Sequence, residues 1–443
     1  MKVTAVSVET LELAYEEPFV IASSALTAGP CDLVRVETDE GLTGYGEACP
    51  AYEFTGDTLW TVEDVIGEYL APATIGRDPF RIEEIVHIWE RELWTVGNQA
   101  ARAALEMALW DLQGKALGRP LVDLVGGRTR DGLPEVIAWG WDEPAALSAK
   151  TRAMRDEGVS IFKVKVGDTP ERDEARVAAV REAAGRHARL TVDANQGWYD
   201  VATAVRAIER LEPYCIEFVE QPVRMDDLEA ARRVRERVDV PIALDESVRE
   251  PCHALAAVKA GAADIFVVKL MKSGGILNAL KINAIAEAAA VGVMVGNMGE
   301  SSLGLAAHFH LAAALSNATH CDADVPWRPG GLERDIGRGL KTELRDGASV
   351  VAIPEGPGLG IEIDCDAVTA QRVERTWHSD GQSAPAAADR AEVFRSGLHG
   401  DPRKCRHPPE EGRRGRRRCH GARGGRPQPS RHRVMAGARV SPA

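Results

Sequence analysis

The chain has 443 residues, a formal net charge of −13 and a hydrophobic fraction of 44%. That is ample for a core and fits two or three domains, or one large barrel with a smaller companion. No apolar run reaches the ~20 residues that span a bilayer, and the N-terminus meets charge too early for a secretory leader. The eight cysteines are scattered and form no CxxC pair. They read as reduced thiols of a cytoplasmic protein, not as a disulfide framework or a zinc site.

Residues 1–125 read as an α+β unit. VTAVSVETLEL alternates like a strand, and CDLVRVETDEGLTGYGEA reads as a hairpin turning at 38–41. Helical stretches follow at about 58–70, 80–94 and 97–117, the last ending at Gly118 ahead of Pro120. From 126 to 330 the rhythm changes. Short apolar runs recur at 134–139, 160–166, 189–194, 216–221, 240–246, 263–270, 292–298 and 318–324, with helical sequence between them. Eight such units predict a closed β/α barrel of the TIM type. Residues 331–379 break the rhythm. Within them, SVVAIPEGPGLGIEID (349–364) is expected to return as strand and turns to the N-terminal unit. From Asp380 onward, 15 Lys+Arg stand against six Asp+Glu, leaving −22 on the rest of the chain. This basic tail has almost no large apolar residues and is expected to be disordered. It reads as a nucleic-acid tether or as a non-functional extension. The second is favoured, because no folded module or stacking aromatic accompanies the Arg run. The acidic body argues against nucleic acid as its own partner.

Active sites of such barrels sit at the C-terminal strand ends. There the sequence offers Lys163 and Lys165, then Asp193, Glu220, Asp245 and Lys269. The steps from Lys165 onward are 28, 27, 25 and 24 residues, one barrel unit each. Lys163 and Lys165 share a face by the strand period of two. They read as a base with a cationic helper, or as two solvated strand-end lysines. A lone acid would read as a helix N-cap. Three acids in successive units, each after an apolar run, read instead as oxygen ligands for Mg²⁺ (or Mn²⁺). Lys272 competes with Lys269 but lies three residues beyond the strand end. Asp322 and Asp324 share a face and read as an anionic clamp for a substrate cation, or as a solvated loop. His308 and His310 are spaced i, i+2 on a helical stretch and suggest no metal site.

Lysines on opposite sides of a carboxylate-bound Mg²⁺ suit proton abstraction beside a carboxylate, whose enediolate product needs charge stabilisation. Lys163 and the metal would lower the Lys165 pKa toward a usable range. One lysine removes the α-proton and the other returns it on the opposite face, inverting the centre.

KVKV at 163–166, TVDANQGW at 191–198, EFVEQP at 217–222, ALDES at 243–247 and VVKLMKSGG at 267–275 resemble the enolase superfamily. Within it they resemble the muconate lactonizing enzyme group. The resemblance covers about residues 1–370 and implies a capping domain at 1–125 ahead of a modified barrel. Lysine bases with bound Mg²⁺ are the known arrangement of enolase-superfamily sites, so that pairing comes with the resemblance. It implies that Lys165 and Lys269 are the acid/base pair and that Lys163 assists at the substrate carboxylate. Asp193, Glu220 and Asp245 would hold the metal, with Glu300 and Asn195 standing behind these groups. Asp322-x-Asp324 resembles the signature by which dipeptide epimerases hold the substrate α-ammonium. Ala–Glu epimerases tend to carry an Arg in a mobile capping-domain loop. Here Glu16 to Asp32 contains no Lys or Arg, and Phe19 and Ile21 are its bulky residues. The sequence therefore predicts a homo-oligomeric epimerase of dipeptides with an apolar, or second a cationic, C-terminal side chain. N-acylamino acid racemization, o-succinylbenzoate synthesis or muconate cycloisomerization on the same site are the alternatives.

Overall fold

The computed structural model describes residues 1–93 and 96–374; the basic tail at 380–443 lies outside the described residues. The chain opens with a three-stranded antiparallel sheet, β1 (Val3–Val20), β2 (Ala25–Thr38) and β3 (Thr43–Ala48). The expected turn between β2 and β3 forms where Gly41 adopts φ 77° and donates its N–H to Thr38 O at 3.1 Å. Residues 16–32, expected as a mobile loop, are instead mostly paired strand. Phe19 faces Leu26 and Val20 faces Ala25, with a register break between Ala14 and Phe19. The reason is backbone satisfaction: the two arms bond each other, and only Ile21–Ser24 turns, closed by Ile21 N–H donating to Ser24 O.

The helix Gln99–Leu117 packs against β3 and stops at Gly118, whose φ of 64° suits a C-cap. Every residue from Gln99 to Gly114 is buried, as expected of an Ala-rich helix enclosed on all sides. Glycines on β3 permit the approach: a Cβ on Gly46 would stand 2.0 Å from Ala104 O. Gly46→Ala is expected to cost about 1–3 kcal/mol and to lower the melting temperature. Gly67→Ala, where a Cβ meets nothing within 4 Å, is expected to leave it unchanged or higher in the same thermal melt.

All eight expected barrel strands form, in parallel and in sequence order. They are Val136–Trp139, Ile161–Lys165, Arg189–Asp193, Val219–Glu220, Ile242–Leu244, Ile265–Val268, Gly292–Val295 and Ala318–Cys321. A helix follows each of the first seven. First and last strands are joined where Val136 N–H donates to Ala323 O at 3.2 Å, so the barrel is nearly closed. The segment expected to return to the N-terminal unit meets it through its turn residues, where Leu121 N–H donates to Gly358 O at 2.8 Å and Leu359 N–H to Asp111 Oδ1 at 2.9 Å, but its strand does not join the N-terminal sheet. Ala348–Ala352 pairs instead with Lys341–Arg345 and with Gly132–Pro134, just ahead of the barrel, because Val351 buries beside Leu133. Further bonds to the N-terminal sheet follow where Val373 N–H donates to Thr10 O and Glu12 N–H to Gln371 O. Among the described residues, no helix is long and apolar enough to cross a membrane.

Candidate active site

Alternation along the barrel strands decides which side chains meet. Phe218, Ala243, Ile265, Val267 and Met294 form one small buried cluster. Val164, Val192, Val219, Leu244, Phe266 and Val268 belong to the large core shared with the helices. Inward and outward residues thus alternate, as the pleat requires. Continuing the inward parity to the strand ends brings Lys163, Lys165, Asp193, Glu220, Asp245 and Lys269 into the mouth.

There they pair directly. Lys165 Nζ donates to Asp193 Oδ2 at 2.6 Å, and Lys269 Nζ to Asp245 Oδ2 at 2.7 Å. Lys163 Nζ stands 2.8 Å from Glu220 Oε2, 2.8 Å from Asp322 Oδ2 and 3.6 Å from Asp193 Oδ2. Lys163 is 2% exposed and Glu220 0%. Burial alone would lower the Lys163 pKa; the carboxylates of Asp322, Glu220 and Asp193 overcome it and hold the ammonium well above its usual value. Burial and the neighbouring Asp193 charge push Glu220 well up. Because ammoniums stand among them, Asp193, Glu220 and Asp245 do not draw together. Among the described residues the one trio of such ligands within 4.8 Å of one another is Glu250, Cys252 and His253. That trio is a helix cap: Glu250 and His253 form a capping box, and Arg102 occupies Glu250 Oε1.

Lys272 takes no place in the mouth. Its Nζ donates to the carbonyls of Asp245, Val248 and Val267 and lies 3.1 Å from Asp245 Oδ1, so it braces the Asp245 turn. Asn195 supports Asp193, its backbone N–H donating to Asp193 Oδ1 at 2.9 Å, and its side chain donates to Glu246. Gln221 escaped sequence reasoning because it points opposite to Glu220. Its amide joins the fourth and fifth strand ends, accepting from Asp245 N–H and Ser247 N–H. The only readable signal was its place in the EQP motif.

Asp322 and Asp324 flank the fully buried Ala323 and both line a cavity of 460 Å³ over the barrel mouth. Burial, then the Asp322 charge, pushes Asp324 up to about 7. The three lysines, Asn195, Glu300, Phe19 and Ile21 line the same cavity. Glu300, pushed up to about 7 by burial, accepts from Met298 N–H and lies 3.7 Å from His308 Nε2. His308 is spent on backbone, accepting from Leu270 N–H and bonded to Gly304 O. The β1–β2 arm bearing Phe19 and Ile21 rests on the barrel: Trp141 N–H donates to Val20 O, and Lys150 pairs with Glu17.

Two family models match this chain: the mandelate racemase / muconate lactonizing enzyme N-terminal domain over residues 3–126, and the enolase C-terminal domain-like family over 146–368. A hydrophobic dipeptide epimerase of Enterococcus faecalis is 39% identical, over 82% of this chain and 99% of its own length. The chain belongs to the enolase superfamily. An N-succinyl-L-Arg/Lys racemase of Bacillus cereus is 34% identical, over 83% of this chain and 96% of its own. The solved E. faecalis dipeptide epimerase, complexed with Mg and L-Leu-L-Tyr, superposes with TM-score 0.76 at 38% identity over 82% of this chain and all of that one. These relatives are isomerases, and so is this member of the superfamily.

Proposed function

We propose that the protein is a metal-dependent dipeptide epimerase that inverts the α-carbon of the C-terminal residue. The carrying observation is the pair Asp322 and Asp324, two carboxylates lining the cavity beside the lysine-bearing mouth. Muconate and succinylbenzoate offer no ammonium for such a pair, and an N-acylamino acid has none at its acylated α-nitrogen, whereas a dipeptide keeps its α-ammonium. The residues at the mouth fit a hard divalent cation. Asp193, Glu220 and Asp245 are an all-oxygen donor set, and buried Glu220 Oε1 has no hydrogen-bond partner among the described residues. Bound there, Mg²⁺ would supply positive charge against the doubly negative enediolate. Lys165 and Lys269, on the second strand and just past the sixth, exchange protons at the α-carbon from opposite sides. Lys163 supplies fixed positive charge for the substrate carboxylate.

The side-chain end of the cavity favours an apolar residue. Phe19, Ile21, Phe54 and Trp60 line it, and among the described residues its one cation outside the catalytic group, Arg328, is consumed by Glu135 and Glu157. A cationic side chain is the second reading. Glu53 lines the cavity half-buried, with no ion pair or hydrogen bond among the described residues. Proton NMR in D₂O with Mg²⁺ and a panel of L,L-dipeptides tests both readings. Expected is deuterium entry at the C-terminal α-carbon with a new diastereomer, fastest for Phe, Tyr or Leu. Preference for Lys or Arg would select the second reading; exchange only in N-succinyl amino acids would overturn the epimerase.

A further inference from the structure

Asp322 and Asp324 are held by different means. The Lys163 ammonium pairs with Asp322, so part of that charge is already compensated. Asp324 has no cation beside it among the described ion pairs; its side-chain donor is Asn297. Asn297 follows the seventh strand and lines the cavity. Its Nδ2 donates to Asp324 Oδ1 and, at 3.1 Å, to Asp322 O, while its Oδ1 accepts from Gly299 N–H at 3.2 Å. One amide therefore ties the end of the seventh strand to both ends of the Asp-x-Asp segment.

We propose that Asn297 is a positioning residue that aims the Asp324 carboxylate at the substrate α-ammonium without neutralising it. This inference rests on the dipeptide reading above. A hydrogen bond from a neutral amide fixes a carboxylate while leaving its charge whole, whereas a Lys or Arg would cancel the charge the ammonium needs. The amide has both groups the job requires. Its donor end holds Asp324, and its acceptor end is pinned by the 297–301 turn, so the side chain cannot follow Asp324 if that residue swings away.

The test is steady-state epimerization of L-Ala-L-Phe with Mg²⁺ by full-length protein, in a double-mutant cycle with Asp324→Asn. Asn297→Ala is expected to raise KM at least about tenfold with kcat changed less than about threefold, since a lost bond to a charged group weakens binding by about that factor or more. Asn297→Ser, which keeps a donor, is expected to recover part of the loss. Added to Asp324→Asn, Asn297→Ala is expected to raise KM no further, because both changes remove one interaction. A loss confined to kcat, or an additive effect in the double variant, would overturn the inference and make Asn297 merely structural. The failure of the underlying reading looks different. If Asp324→Asn itself leaves KM for L-Ala-L-Phe unchanged, no ammonium clamp exists and the inference falls with it. If Asp324→Asn raises KM and Asn297→Ala does not, only the inference falls.

Discussion

Replacing Lys165 or Lys269 by Met is expected to lower dipeptide epimerization at least about 10³-fold, in the upper part of the range for a lost general acid/base. The two lysines come from the second and sixth barrel units and pair with different carboxylates, Asp193 and Asp245. They cannot substitute for each other across the mouth. Each variant should therefore keep half of the reaction: solvent deuterium enters one diastereomer, served by the surviving lysine, but no inverted product accumulates. Lys165→Met and Lys269→Met should retain exchange in opposite diastereomers. Removing an ammonium also leaves a buried carboxylate short of a partner, which costs stability. Thermal melts should accompany the kinetics, and the diastereomer split is the readout that loss of stability does not mimic. If both variants keep exchange in the same diastereomer, the two-base assignment is wrong.

The barrel and the placing of charged groups at its mouth were readable in the sequence because both follow short-range rules. Strand parity alone turns Lys163, Lys165 and Lys269 inward, and one acid after each of three successive apolar runs marks the rim. The shortest barrel strand shows where this reading thins: the run at 216–221 shortens to Val219–Glu220, yet Glu220 still ends it. What stayed hidden depends on contacts between distant segments. Nothing near Arg328 says that Glu135 and Glu157 will neutralise it. Lys272 looks like a second catalytic candidate until three carbonyls enclose it. Asn297 meets Asp324 only because the seventh and eighth strand ends are neighbours in a barrel. The loop expected at 16–32 comes from the resemblance alone; its backbone pairs on both sides of the register break between Ala14 and Phe19, a pairing of segments that the alternation does not announce.

Metal removal is expected to have the other large effect. With EDTA, α-proton exchange should fall to the limit of detection and return with Mg²⁺. The α-proton of a carboxylate is very weakly acidic, and protein ammoniums already paired with Asp193, Glu220 and Asp245 leave too little free positive charge for an enediolate. A binding readout separates this from damage to the fold. A cation that binds the native state alone stabilises it by mass action, about 2.7 kcal/mol at a hundredfold excess over Kd, so Mg²⁺ should raise the melting temperature. Glu220→Gln should abolish that rise along with the exchange. The same change should leave the metal-free melting temperature unchanged or higher, since burial disfavours the charged carboxyl that it removes. A Glu220→Gln protein that still gains stability from Mg²⁺ would place the cation elsewhere. If it loses stability without metal, Glu220 is chiefly a partner for Lys163, which it approaches to 2.8 Å.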